Sequence, residues 1–161
     1  EIAVSASNSA FCSLDGVLLN KSQTRLVQCP GGMLGSYTIS NSVTNIGGNA
    51  FSGCANLSSI TIPDSVTSIS GVAFSYCTSL TSLTIPDSVT NIGNYAFRGC
   101  TNLTSFTIPA SVISIGTNTF AYCTSLSEIA VNASNSAFSS LDGILFNKSQ
   151  TTLVQCPGGK A

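Results

Sequence analysis

A 23-residue period constrains this chain more than any other feature. Ile46, Phe51, Cys54, Leu57, Ile60, Ile62, Pro63, Ser65 and Val66 recur one period later as Ile69, Phe74, Cys77, Leu80, Leu83, Ile85, Pro86, Ser88 and Val89. They recur again as Ile92, Phe97, Cys100, Leu103, Phe106, Ile108, Pro109, Ser111 and Val112, and then in part as Ile115, Phe120, Cys123, Leu126, Ile129 and Val131. A half-unit with Tyr37, Ile39, Ser42 and Val43 precedes them in the same phase. No unit of this size can bury such residues alone. Units that stack side by side can, so the repeat predicts a solenoid with one continuous core.

A longer period overlies the first. Residues 1–32 recur at 128–159, differing only at Ser5/Asn132, Cys12/Ser139, Val17/Ile144, Leu19/Phe146 and Arg25/Thr152. The offset of 127 corresponds to four short units and one long one, an ordinary coil carrying a 12-residue insertion. The expected organisation is a long spacer-type unit with a hairpin over 1–34, short-period coils over 35–131, and a second long unit over 128–161 that opens the next super-repeat. Because the chain begins and ends in the same phase, it reads as a segment of a longer tandem array. Continuation by peptide bond is expected, or end-to-end self-association of the exposed apolar coils.

Within a short unit, Ile60 and Ile62 alternate with Ser59 and Thr61, the pattern of a half-buried strand. Pro63 can end that strand without losing a ladder donor. Ser65 suits a local side-chain-to-backbone turn. Gly47, Gly93 and Gly116 share a phase that suits positive φ, although Ser70 breaks the set. A short helical or 3-10 turn is expected to carry the Ala-Phe pair inward. In the long units, Asp15-Gly16 and Asp142-Gly143 signal turns. The apolar stretches that follow read as a small hairpin projecting from the solenoid.

The pattern Leu-x-x-Leu-x-Ile-Pro-x-Ser-Val-x-x-Ile-Gly-x-x-Ala-Phe-x-x-Cys, seen at 80–100, resembles the BspA-like leucine-rich repeat, and Asp-Gly-Ile-Leu-Phe at 142–146 is similar to the spacer between blocks of such repeats. The resemblance covers essentially the whole chain. It implies a right-handed leucine-rich-repeat coil, mostly β and turn, with a parallel β-ladder. It also implies a surface or secreted setting, often linked to adhesion, and partners that are other proteins or glycans on cell surfaces. It speaks for fold much more than for function.

Composition narrows the chemistry. Charged residues make up 7% of the chain and the net charge is −1, so no basic surface exists to follow a phosphate backbone. No apolar run approaches the ~20 residues of a membrane span. With His absent, the usual general base is missing and Ser-His-Asp or Cys-His mechanisms are excluded. The acids Glu1, Asp15, Asp64, Asp87, Glu128 and Asp142 form no catalytic motif. The expectation is a module that is not an enzyme and takes no cofactor.

Several columns remain as candidates. Cys54, Cys77, Cys100 and Cys123 share one phase, as do Phe51, Phe74, Phe97 and Phe120. The cysteines match no zinc spacing, and parallel Cβ vectors suit a disulfide poorly. Buried, unpaired thiols that bind no metal are therefore expected. Pairing of Cys29 and Cys156 stays open, and Cys12 is Ser139 in the other copy. Asp64 and Asp87 share a phase, as a calcium site or as two solvated turn residues. Asn20, Asn56, Asn102, Asn132 and Asn147 each open an Asn-x-Ser/Thr triplet, a glycan acceptor or a turn signal. The expected binding face is the exposed strand side: Ser36, Ser59, Ser82 and Ser105 beside Thr38, Thr61, Thr84 and Thr107, ending at Glu128. Such a hydroxyl grid is either a solvated strand surface or a recognition surface, with an ordered lattice such as ice or crystalline polysaccharide as a further ligand class. The function expected is adhesion or binding of proteins or glycans. The alternative is a fibre- or filament-forming element whose product is the solenoid itself.

Overall fold

The structure, a computed structural model, describes residues 1–160 as a β-solenoid built of strands and turns, with no helix among the described residues. The first long unit supplies β1 (Phe11–Leu14), β2 (Val17–Asn20) and β3 (Arg25–Gln28). The short coils supply β4 (Gly35–Thr38), β5 (Asn45–Ile46), β6 (Leu57–Thr61), β7 (Ser68–Ile69), β8 (Asn91–Ile92), β9 (Ser105–Ile108) and β10 (Ser114–Ile115). Then come β11 (Glu128–Val131), β12 (Phe138–Leu141), β13 (Ile144–Asn147) and β14 (Leu153–Gln155).

Two lines of parallel pairing run along the solenoid. One is unbroken: β3, β5, β7, β8 and β10 pair in sequence, Leu26 meeting Ile46 and each isoleucine after it meeting its copy in the next coil. The other contains the longer strands and is interrupted. β4 pairs with β6 and β9 with β11, but residues 81–86 between them join no strand. The sequence pattern predicts one uninterrupted ladder through Leu83 and Ile85. The core is continuous there, since both side chains are buried, yet the backbone ladder is not.

A third line of bonds joins the turns. Phe51 N–H donates to Ala73 O at 2.7 Å, Phe74 N–H to Ala96 O at 2.7 Å and Phe97 N–H to Thr119 O at 3.0 Å. Hydrogen-bonded turns, not the expected helical or 3-10 turns, thus bring the Ala-Phe pairs inward. They do so through two left-handed residues per coil: Asn49, Val72, Tyr95 and Asn118 in one column, and Gly53, Tyr76, Gly99 and Tyr122 in the other. The glycines at 47, 93 and 116 do not have positive φ. Their reason is close approach: a Cβ on Gly47 would lie 2.6 Å from Leu26 O, and one on Gly93 would overlap the backbone of Ser70 and Gly71. Ser70, in the same phase, is the position whose preceding coil supplies the Gly47-Gly48 pair.

The Pro-x-Ser-Val serines also differ from expectation. Ser65, Ser88 and Ser111 do not close a local turn. Each hydroxyl donates to the carbonyl of Val43, Val66 or Val89 in the preceding coil, at 2.7, 2.6 and 2.7 Å. The insertion is likewise no projecting two-stranded hairpin. β1, β2 and β3 form an antiparallel meander whose last strand continues directly into the unbroken parallel ladder. The apolar faces of Val17, Leu19 and Leu26 account for this, because they are buried and so hold the meander against the core.

Phenylalanine dominates that core. Phe51, Phe74, Phe97 and Phe120 are buried and stack at centroid spacings of 5.1, 5.3 and 5.7 Å, with rings within 8° of parallel. Phe106 closes on Phe97 and Phe120 at 4.9 and 4.7 Å with tilted or edge geometry, an arrangement aromatic quadrupoles favour.

Candidate functional site

On the interrupted face, Ser36, Thr38, Ser59, Thr61, Ser82, Thr84, Ser105, Thr107 and Glu128 are all solvent-exposed. Where residues 81–86 leave the ladder, two shallow clefts open. One, of about 290 Å³, lies between Ser59–Ile62 and Ser82–Thr84. The other, of about 370 Å³, is bounded by Ser82–Ile85, Asp87, Ser105, Thr107, Pro109 and Asn132. The hydroxyl columns therefore line concave surface with extended backbone between them, so both side-chain hydroxyls and main-chain groups can meet a ligand. Asp87 is the acid on the rim. Asp64 is also exposed, and no group of three metal-ligating side chains comes together among the described residues.

A further cleft, about 630 Å³, sits elsewhere, lined by Glu1–Ala3, Ser13, Asp15, Gly16, Pro30, Gly32 and Met33. The corresponding surface in the second long unit is a stacking surface. There Gly158 and Gly159 pack on the backbone of Cys123–Leu126, and Gly159 N–H donates to Leu126 O at 2.8 Å.

Cys54, Cys77, Cys100 and Cys123 are buried free thiols, as is Cys29; Cys12 is half-buried and Cys156 exposed. The column has a bonding pattern the sequence does not reveal. Cys77 Sγ donates to Phe51 O at 3.2 Å, Cys100 Sγ to Phe74 O at 3.2 Å and Cys123 Sγ to Phe97 O at 3.0 Å. Burial pushes the Cys77 thiol from 9.0 up to about 12, and the neighbouring Cys54 adds to this. Cys29 and Cys100 move the same way, through hydrogen bonds shared with Cys54 and Cys123 and through burial. Cys54 and Cys123, the partners in those hydrogen bonds, move the other way. Thiolate is the reactive form, so Cys77 is held in its unreactive state, and burial keeps reagents from the rest of the column. An alkylating reagent at neutral pH is expected to label Cys156 readily and Cys12 more slowly, reaching the five buried thiols only on unfolding. Mass spectrometry reads this directly, and native labelling of Cys77 at the Cys156 rate would contradict it. The pH sign follows: the unfolded thiol ionises near 9.0 and the folded Cys77 near 12, so its contribution is full below pH 9 and is lost as pH rises between those values.

The sequence columns do not point to a second cluster, half-buried at its centre and exposed at its edges. Tyr76, Tyr95 and Tyr122 surround Arg98, whose guanidinium carbon lies 5.7, 5.7 and 5.1 Å from the three ring centroids. A signal was available: Tyr76 and Tyr122 stand where neighbouring coils have Gly53 and Gly99, and Arg98 stands where they have Ser52, Ser75 and Ala121.

A recurring coil of short parallel strands, stacked phenylalanines and hydrogen-bonded turns defines a leucine-rich-repeat solenoid. Residues 31–152 match the model of the BspA type leucine rich repeat region in six copies. The chain belongs to that family. It is similar to the T. pallidum leucine rich repeat protein (35% identity, TM-score 0.57, covering 58% of this chain and 44% of that one). A leucine rich cell surface protein from Faecalibacterium prausnitzii is 28% identical with a TM-score of 0.57, covering 92% of this chain and 53% of the other. For a leucine-rich repeat protein from Eubacterium ventriosum the TM-score is 0.72 at 23% identity, covering 96% and 50%, a likeness of fold alone. The chain thus spans about half the length of these structures or slightly less. No curated protein matches it. No helix is long and apolar enough to cross a membrane among the described residues.

Proposed function

We propose that this chain is an extracellular or cell-surface recognition module that binds protein or glycan partners through its hydroxyl-rich strand face. The observation that carries the reading is the pair of clefts flanking residues 81–86, where the Ser and Thr columns line concave surface. A merely solvated strand face needs no such opening. The description of a relative as a cell surface protein supports the setting. A surface this poor in charge, with Asp87 and Glu128 at its margins, selects by hydrogen bonding and shape, so its binding should depend little on salt.

Replacing Ser82 and Thr84 together by Lys tests this. Both are exposed, so stability should change by no more than about 0.5 kcal/mol per site. Adherence of the purified chain to immobilised extracellular-matrix proteins and cell-surface glycans should be lost, whereas Thr117→Lys, at an exposed turn, should leave it intact. Equal adherence of all three proteins would sink the reading.

A second reading, a fibre- or filament-forming element, draws on exposed apolar residues in the long units and beside them: Phe11, Leu34, Leu141 and Leu153. It requires mass-dependent growth in light scattering as concentration rises.

A further inference from the structure

We infer that the tyrosine-caged Arg98 forms a second binding site, separate from the strand face, for the acidic ring of a glycan: a pyranose bearing a carboxylate. The cleft there is about 260 Å³, lined by Tyr95, Arg98, Asn118, Ala121 and Tyr122, and shares no residue with the strand-face clefts.

Neither core packing nor backbone geometry accounts for these side chains. Tyr76 and Tyr122 are 47% and 66% exposed, so a large part of their ring surface stays in solvent. Three of the chain's four tyrosines (76, 95 and 122) lie in left-handed backbone, with φ of 58°, 57° and 61°. Glycine takes that conformation at no steric cost, and Gly53 and Gly99 do so in the same column as Tyr76 and Tyr122. A bulky residue held there stores backbone strain, which is found preferentially at functional sites. Gly99 supplies the complementary space, since a Cβ on it would lie 2.5 Å from the Tyr76 ring.

Arg98 is the only cation between residues 26 and 147, and its Nε is buried without a hydrogen-bond partner. The cage therefore fixes a guanidinium through ring faces instead of through a carboxylate of its own chain. A guanidinium held in this way is matched by a planar carboxylate, which it can engage with two parallel N–H···O bonds. The Tyr122 ring beside it offers an apolar face to the C–H side of a sugar ring. Asn118, whose Nδ2 lies 3.4 Å from the Tyr95 hydroxyl, adds amide and phenol groups for sugar hydroxyls. The cleft is smaller than the ~300–1,000 Å³ of a drug-sized pocket, the scale of one ring rather than of a peptide segment.

The test uses the full chain with sialyllactose and a glucuronic-acid disaccharide as probes, and lactose and an oligoglutamate peptide as comparators, followed by saturation-transfer NMR and calorimetry. Saturable binding of at least one acidic sugar, with lactose and oligoglutamate both weaker by about tenfold or more, is expected, that being the loss of one well-placed anchor. Tyr122→Ala should weaken that binding comparably without loss of fold, since its ring is mostly exposed. Arg98→Gln should erase the preference for acidic over neutral sugar, with circular dichroism confirming the fold. The inference is overturned if neither acidic sugar binds, if oligoglutamate or lactose binds as well, or if both variants bind as the parent does. The Ser82→Lys/Thr84→Lys protein should bind the acidic sugar unchanged, so failure of the strand-face reading and failure of this one are told apart.

Discussion

Phe97→Ala is expected to lower folding stability by about 3–5 kcal/mol, the cost of truncating a fully buried aromatic. Phe97 has no exposed surface and sits between Phe74 at 5.3 Å and Phe120 at 5.7 Å, with Phe106 tilted against it at 4.9 Å. Its loss removes contacts with both neighbouring coils at once. In a stack where each coil touches only its neighbours, such a gap uncouples the two halves. The denaturation profile should therefore broaden as well as shift, which urea titration followed by circular dichroism will show. Thr84→Ala, on the exposed face, should stay within about 0.5 kcal/mol. Comparable losses at the two sites would mean that the faces are assigned wrongly.

The second large effect is expected at Asn135. This side chain is fully buried and makes four bonds. Its Nδ2 donates to Pro109 O at 2.7 Å and Val112 O at 2.9 Å in the preceding coil, and its Oδ1 accepts from Ala137 and Phe138 N–H, both at 2.8 Å. It stitches the second long unit to the short coils. Asn135→Ala leaves those backbone groups unpaired, at a cost of about 2–4 kcal/mol. Asn8 is the same residue in the other copy. There Oδ1 makes the same two bonds, to Ala10 and Phe11 N–H at 2.9 Å, but the residue is exposed. Asn8→Ala should cost about 1 kcal/mol or less, as for an exposed cap. Equal effects in chemical denaturation would show that the inter-coil bonds contribute nothing.

Inward positions were legible because the period repeats them. The columns through Phe74, Cys77, Leu80 and Val89 mark burial four times over, and hydrophobic burial alone requires that they stack. Backbone detail was less legible, because residue type does not report it where side chains override propensity. Val72, Tyr76, Tyr95 and Tyr122 hide left-handed turns that glycine or asparagine would have announced. Gly93 suggested positive φ, yet it answers to a neighbouring backbone, a contact invisible within one unit. The same holds for Ser88, whose partner lies a coil away. The hydroxyl columns could be named in advance but not the gap at 81–86 that makes them concave. Arg98 and its tyrosines depart from the repeat, so no recurring column marks them.

The burial of the thiol column depends on the coils staying stacked. Cys77, Cys100 and Cys123 are each covered by, and bonded to, the adjacent coil. Peeling one coil from the end of the stack would uncover one sulfur to solvent and to oxidants. Successive coils release successive sulfurs, one for each repeat drawn out. No cystine ties one coil to the next among the described residues. The number of sulfurs that become reactive would then count the coils that have come away.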